Sequence, residues 1–338
     1  MKAAFLTEYG PPEVLQLREV STPRPGDGDV LIRVHATSVN FGDRLARNLA
    51  AISPLRFHMP LLFWIMAKLS FGVRRPRVRI LGSEFAGEVE ALGKAVRRFK
   101  KGDRVFGFLG PRMGAYAEYL RMPEDGVIAT MPHNLTYEQA AAIPYGAIMA
   151  LGLLRKAQVG PGTKVLVVGA SGGIGPAVVQ LASRHFGAEV AGVCGTARLD
   201  YVRSLGARPA IDYTREDFFD RPETYDVVID ILGKTSFRRC RRVLRPQGRL
   251  IYVSFKTKQL LQSLWTAVAG GRRAVCALVT EKQEDLVLVR RLVEAGELTS
   301  VVDRSYPLDQ AAEAHRYAES GARTGAVVIA MSPELASL

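Results

Sequence analysis

The hydrophobic rhythm of the chain changes about a third of the way along. Up to about residue 122, apolar residues fall in short runs such as VLIRVHATSV (30–39), EFAGEVEALG (84–93) and DRVFGF (103–108), separated by turns like STPRPGDGD and FKKGD. This spacing predicts a compact antiparallel β domain. From about residue 136 the period lengthens: YEQAAAIPYGAIMALGLLRKA, starting at Tyr137, reads as helix with a break or kink at Pro144. Six apolar runs follow: KVLVVGA, EVAGVCG, PAIDY, YDVVIDIL, RLIYVSF and AVCALVT. Between them lie AVVQLASRHFG, LDYVRSLGA, SFRRCRRVLRP, LLQSLWTAV and EDLVLVRRLVEAG, which read as helices. Strands that are apolar on both faces and separated by helices predict an α/β fold with a doubly wound parallel sheet, covered on both sides. The tail from about Thr299 holds a strand, a helix starting near Leu308 and a last apolar strand. It is expected to return to the β domain, giving a discontinuous unit of residues 1–125 and 300–338 with residues 126–299 inserted.

The most apolar window, residues 59–71 (MPLLFWIMAKLSF), is interrupted by Lys68 and falls short of the roughly 20 residues that span a bilayer. It is followed by the basic run RRPRVR. A core-packing helix with a basic exit is the favoured reading; lining a pocket for a bulky apolar substrate, or contact of residues 59–73 with a membrane or partner, are the alternatives. Lys and Arg number 46 against 33 Asp and Glu, a formal net charge of +13, which brings anionic ligands, nucleic acid and acidic membranes into view. Three scattered cysteines (Cys194, Cys240, Cys276) exclude a disulfide scaffold and a cysteine-rich zinc site. The expected setting is reducing and cytoplasmic, and the N-terminus lacks the pattern of a secretory signal.

KVLVVGA runs directly into SGGIG and then into a helix, the order strand, glycine turn, helix of a dinucleotide site. Ala170, Gly172 and Gly175 occupy the three positions of G-x-G-x-x-G, and Gly169, Ser171, Gly173 and Ile174 complete the turn. Gly172 lets the backbone approach a pyrophosphate and Gly175 lets the helix pack on the strand. Pro176 suits a first helical turn. An NAD site usually places an acid about 20 residues on, against the ribose 2′-hydroxyl. Here the second strand ends CGTAR, with Thr196 in that region and Arg198 beyond it, and a guanidinium pairs well with a 2′-phosphate. NADPH is therefore expected ahead of NADH. Leu232, at the end of YDVVIDIL, joins the expected cofactor contacts.

Nearly the whole chain resembles the zinc-independent quinone oxidoreductase branch of the medium-chain dehydrogenase/reductases. The resemblance rests on MKAAFLTEYGPPEVLQL, SVNFGD, ILGSEFAGEVEALGKAVRRFKKGDRVFGF, GAYAEYL, AAAIPYGAIMAL, and GASGGIG with SLGARPAIDY. It implies a GroES-like catalytic domain built from both chain ends, a central Rossmann domain, and NADPH in the cleft between them. It also implies that Tyr213 lies near the adenosine 2′-phosphate. Where zinc-dependent cousins read V-C-H-T-D and G-H-E, this chain has Val39, Asn40, Phe41, Gly42 and Asp43, then Gly82, Ser83 and Glu84, so the thiolate and imidazole that zinc needs are missing. Relatives commonly carry a lysine where this chain has Ala326; Arg323 is a substitute should that lysine touch the cofactor.

Without a Lewis acid, reduction of a simple ketone is hard, whereas a quinone or enone spreads the developing charge onto an oxygen that hydrogen bonds stabilise. Asn40 and Tyr116 are the expected catalytic residues: Asn40 as a donor to carbonyl or cofactor, Tyr116 as a donor or proton source. The expected activity is NADPH-dependent, zinc-independent hydride transfer to a quinone or α,β-unsaturated carbonyl compound. Enoyl-thioester reduction on the same fold is one alternative. Another is a nucleotide- or RNA-binding protein, motivated by RRPRVR, RRFKK and RRCRR but lacking interleaved stacking aromatics. Nucleic acid is thus not an expected partner. A homodimer is, joined through AVCALVT as an edge strand.

Overall fold

The computed structural model describes residues 1–53 and 59–331. The N-terminal third is strand-rich. It comprises β1 (Lys2–Leu6), β2 (Leu15–Glu19), β3 (Asp29–Ser38), helices α1 (Phe41–Arg47) and α2 (Leu61–Phe71), β4 (Glu84–Leu92), β5 (Arg104–Phe108), β6 (Tyr119–Pro123) and β7 (Val127–Thr130). Helix α3 (Tyr137–Ala141) and α4 (Pro144–Ala157) follow. The expected break at Pro144 is present, with the proline in the first turn of α4, where its missing N–H costs nothing.

Next comes the α/β unit: β8 (Lys164–Val168), α5 (Gly175–Gln180), β9 (Glu189–Cys194), α6 (Leu199–Ser204), β10 (Ala210–Asp212), β11 (Tyr225–Asp230), α7 (Phe237–Val243), β12 (Leu244–Tyr252), α8 (Thr257–Ala269), β13 (Arg273–Cys276) and α9 (Gln283–Glu294). Its strands form one parallel six-stranded sheet in the order β10-β9-β8-β11-β12-β13. Strand order reverses between β8 and β11, and a crevice opens there at the carboxyl ends of the strands. One face is covered by α4 and α9, which bury Ile148, Leu151, Leu286 and Val289 completely. The other is covered around Phe237, Tyr252 and Phe255. Each such side chain contributes about 1.5–3 kcal/mol by leaving water.

The chain then returns through β14 (Val302–Pro307), α10 (Ala311–Glu319) and β15 (Ala326–Ala330). Strand β15 pairs antiparallel with β3, completing a seven-stranded sheet whose main path is β14-β15-β3-β4-β5-β7. The return expected from the sequence is therefore a β-sheet contact. The sheet is mixed, since β14 and β15 run parallel. Strand β7 pairs with β5, so residues 127–130 belong to this sheet and not to the segment expected to begin at residue 126. Residues 332–338, assigned to the same unit, lie outside the described residues.

The core-packing reading of residues 59–71 needs correction. Leu61, Leu62, Ile65, Met66 and Leu69 of α2 are 41–63% exposed, while Lys68 is buried. The ammonium donates to the Leu49 carbonyl at 2.8 Å and lies 5.5 Å from the Trp64 ring. Only part of the helix packs inward, with Phe63 against Phe255 at a ring distance of 6.5 Å.

Candidate active site

Three cavities that share lining residues lie along the crevice. The first, of about 680 Å³, lies over the β8–α5 turn and is lined by Gly169, Ser171, Gly172, Arg198, Tyr213 and Leu232, among others. The second is a narrow passage of about 80 Å³ that shares Gly172 with the first and adds Gly173, Asn40, Tyr145, Tyr201 and Arg323. The third, of about 240 Å³, shares Asn40 and Tyr145 with the passage and is otherwise mostly apolar, with Leu45, Phe71, Phe108 and Met113 in its wall.

The glycine turn has the stereochemistry its sequence implied. Gly169 has φ +92°, and a β-carbon there would meet Leu232 Cγ at 3.1 Å. A β-carbon on Gly175 would lie 2.3 Å from the Gly169 carbonyl oxygen, so only glycine lets α5 start this close to β8. A β-carbon on Gly172 would meet the Gly169 carbonyl oxygen at 3.4 Å and one on Gly173 the Arg323 guanidinium at 4.0 Å, both ordinary contacts. The buried Asp230 carboxylate accepts from the amides of Leu232, Gly233 and Thr235 at 2.8–3.1 Å, shaping the loop that brings Leu232 over the turn. These features form a cradle that a β-carbon would fill, and they fit a dinucleotide diphosphate.

Not every expected contact faces the cavity. Ala170 and Ile174 are buried behind the turn and support it from within. Thr196 is turned away: its hydroxyl donates to Asp212 Oδ2 at 2.5 Å and pairs with the Thr214 hydroxyl at 3.0 Å. The Thr196 bond, together with those that the Thr214 hydroxyl and amide donate to Asp212 Oδ1, holds the Asp212 carboxyl below the usual carboxylate range. Arg198 does line the cavity, but its guanidinium donates to the carbonyls of Gly321 and Arg323, the latter at 3.2 Å. Tyr213 stands 59% exposed at the rim. Arg215 and Lys234, which sequence reasoning did not single out, supply further cations.

Asn40 begins α1. Its Oδ1 accepts from the Asp43 amide at 3.2 Å, and Asp43 Oδ2 accepts from the Asn40 amide at 3.0 Å, a reciprocal cap. Its Nδ2 donates to Ser83 Oγ at 2.6 Å and to Glu84 Oε2 at 3.1 Å. The side-chain amide expected to donate to carbonyl or cofactor thus donates to protein partners in this structure. Glu84 also accepts from Ser38 and, at 2.7 Å, from the Tyr145 amide. Burial raises the Glu84 carboxyl above its ordinary range and pushes Asp43 up to about 7.

Tyr116 is fully buried and lines none of the three cavities; its hydroxyl meets His315 Nε2 at 2.9 Å. A β-carbon on Gly82 would lie 2.4 Å from its ring, so the phenol is wedged in the core. The tyrosine that sequence reasoning missed is Tyr145, one residue into α4, half-buried and shared by the passage and the apolar cavity. Its ring packs 5.7 Å from Phe108, and its hydroxyl has no hydrogen-bond partner among the described residues. Burial raises its pKa above the ordinary phenol value, so it stays protonated at neutral pH. The signal was present in AAAIPYGAI: the residue after a helix-starting proline, beside Glu84, faces the crevice.

Residues 26–133 match the family described as alcohol dehydrogenase GroES-like domain, and residues 205–329 the one described as zinc-binding dehydrogenase. The chain is 34% identical to a 2-methylene-furan-3-one reductase of Solanum lycopersicum, over 97% of this chain and 79% of the relative. It is 31% identical to the quinone oxidoreductase of Homo sapiens, over 93% of each. The solved quinone oxidoreductase from Coxiella burnetii superposes with a TM-score of 0.83 at 29% identity, covering 98% of this chain and 99% of that one. The fold and its nucleotide cradle define an oxidoreductase with a Rossmann domain inserted into a GroES-like domain. The chain belongs to the medium-chain dehydrogenase/reductase family, within its quinone-oxidoreductase-like branch.

Proposed function

We propose that the protein is an NADPH-dependent, zinc-independent reductase of quinones or α,β-unsaturated carbonyl compounds. The observation that carries this reading is the succession of three cavities with shared walls, from the glycine turn, past Asn40 and Tyr145, to an apolar cavity. The names of the relatives, quinone oxidoreductase and 2-methylene-furan-3-one reductase, support the acceptor class.

Bound NADPH supplies a hydride. Within the turn the amides of Gly169, Ala170 and Gly172 donate to backbone carbonyls, so the remaining ones, such as that of Gly173, would hold its diphosphate, and Arg323, which lines the passage beside Gly173, would offset its charge. Arg198, Tyr213 and Arg215 surround the place where a 2′-phosphate would sit. Tyr145 would donate a hydrogen bond to the acceptor's carbonyl oxygen and hold the proton for the enolate or hydroquinone oxygen. Glu84 fixes the Tyr145 backbone, and Asn40 and Ser38 fix Glu84. The donors at the positions of the cousins' zinc ligands are an amide, a hydroxyl and hydrogen-bonded carboxylates, a poor set for zinc. Among the described residues no three His, Cys, Asp or Glu side chains converge as a metal site.

The test is NADPH oxidation against quinones, alkenals, enoyl thioesters and simple ketones, with and without chelator. Turnover of quinones or enones unaffected by chelator, and reduced about 10- to 100-fold in Tyr145→Phe, is expected. Turnover of simple ketones that chelation abolishes would sink the reading. We further propose a homodimer joined at the β13 edge, in a cytoplasmic setting that suits three free cysteines.

A further inference from the structure

Helix α2 is built inside out. Its one charge, Lys68, points into the protein, while Leu61, Leu62, Ile65, Met66 and Leu69 point out, followed by Val73 at 60% exposure. An outward row of large apolar side chains on an 11-residue helix is costly in water unless something covers it. The same surface carries Arg74, Arg75 and Arg77, all exposed and without a carboxylate partner among the described residues. Between Asp43 and Glu84 the sequence holds no Asp or Glu at all. Elsewhere the basic runs are neutralised in part: Arg239 and Arg242 pair with Asp217 and Asp220, and Lys101 with Glu90.

We propose that α2 and the Arg74–Arg77 segment are a docking surface for an anionic lipid bilayer. The apolar row would sink into the boundary of headgroups and acyl chains, and the arginines would meet lipid phosphates and carboxylates. The charge argues against a second copy of this chain as the cover, because a two-fold contact would bring the same unpaired arginines face to face. The helix lies on the bilayer and does not cross it: among the described residues no helix is long and apolar enough to span a membrane.

The inner side of the same helix explains what docking would serve. Ala67 and Phe71, with Met59 before them, wall the apolar cavity that meets Tyr145. One helix therefore separates the acceptor cavity from the surface that would touch lipid. A lipophilic acceptor dissolved in the bilayer would have one helix to pass, a consequence that rests on the quinone or enone reading, whereas the docking itself does not.

The test is co-sedimentation of the full chain with vesicles of phosphatidylcholine alone or with 30 mol% phosphatidylglycerol, at low and physiological salt. Binding to the anionic vesicles and much weaker binding to the neutral ones is expected. Leu62→Glu with Met66→Glu should lower the partition coefficient by about tenfold or more. Replacing Arg74, Arg75 and Arg77 by serine should lower it by about a hundredfold. Both residue sets lie outside the cavities, so turnover of a water-soluble quinone serves as the folding control. Failure of the wild type to bind anionic vesicles, or equal binding by the variants, overturns the proposal. So does a mass that halves in Leu62→Glu without change in vesicle binding, which would make the face a contact between copies. A protein that docks but reduces no quinone or enone would leave docking standing and remove the acceptor reading.

Discussion

On the proposed reading, Arg198 would exchange protein partners for a cofactor phosphate. Its guanidinium ties the β9–α6 turn to the carbonyls of Gly321 and Arg323 in the returning tail, beside the nucleotide cavity. A 2′-phosphate is the stronger acceptor, since a hydrogen bond to a charged group is worth about 1.5–3 kcal/mol. Arg198→Ala is therefore expected to raise the KM for NADPH about 10- to 100-fold while changing that for NADH little. Equal losses for both cofactors would show that the side chain acts through the tail. Legibility at this scale was uneven. Gly169, Gly172 and Gly175 were readable because their roles are set by backbone geometry over seven residues. The surroundings of the Thr196 and Tyr116 hydroxyls were not legible, because their partners, Asp212 and His315, are 16 and 199 residues away.

At the scale of elements, alternating periods located almost every strand and helix of the α/β unit, because a buried parallel strand must be apolar on both faces. Helix α2 escaped that logic: an apolar run says that water is unfavourable, not which face is covered. Helix α8 presents the same problem beside the sheet edge. Leu264, Trp265 and Val268 are 64–91% exposed next to β13, whose outer edge pairs with no strand among the described residues. Joining two β13 edges would cover both. Trp265→Glu is expected to convert a dimer to a monomer, read as a halved mass in light scattering; a wild-type monomer would contradict the edge-strand dimer.

For the whole molecule, the two chain ends are locked by a buried polar cluster. Arg47 of α1 reaches His315 Nδ1 at 3.2 Å and Glu319 at 2.6 Å, both on α10, and Tyr116 closes the other side of the imidazole. Burial and the Arg47 charge hold the His315 pKa well below its ordinary value, so the unfolded chain takes up a proton there before the native state does. That loses stability as pH falls below about 6.5. Asp43, pushed up to about 7, acts in the opposite sense: its contribution is present at low pH and is lost as pH rises from about 4 towards 7. The two partly cancel in the wild type. His315→Gln should make the melting temperature fall more steeply between pH 5 and 7, and Asp43→Asn should make it rise more steeply. Calorimetry in which neither slope changes would rule this balance out.

The sequence by itself determined what depends on neighbours along the chain: the strand–turn–helix cradle, the doubly wound order, the edge position of AVCALVT and the absence of a thiolate–imidazole pair at Asn40 to Asp43. These follow from local stereochemistry and from residue type, which no tertiary contact alters. Only the tertiary structure decided which polar side chains were free to act. Asn40 and Tyr116 are consumed by partners distant in sequence, and Tyr145 faces the crevice because Glu84, 61 residues earlier, caps its amide. It also decided that the most apolar helix turns its leucines outward, because the place of its lysine was fixed by a carbonyl 19 residues upstream.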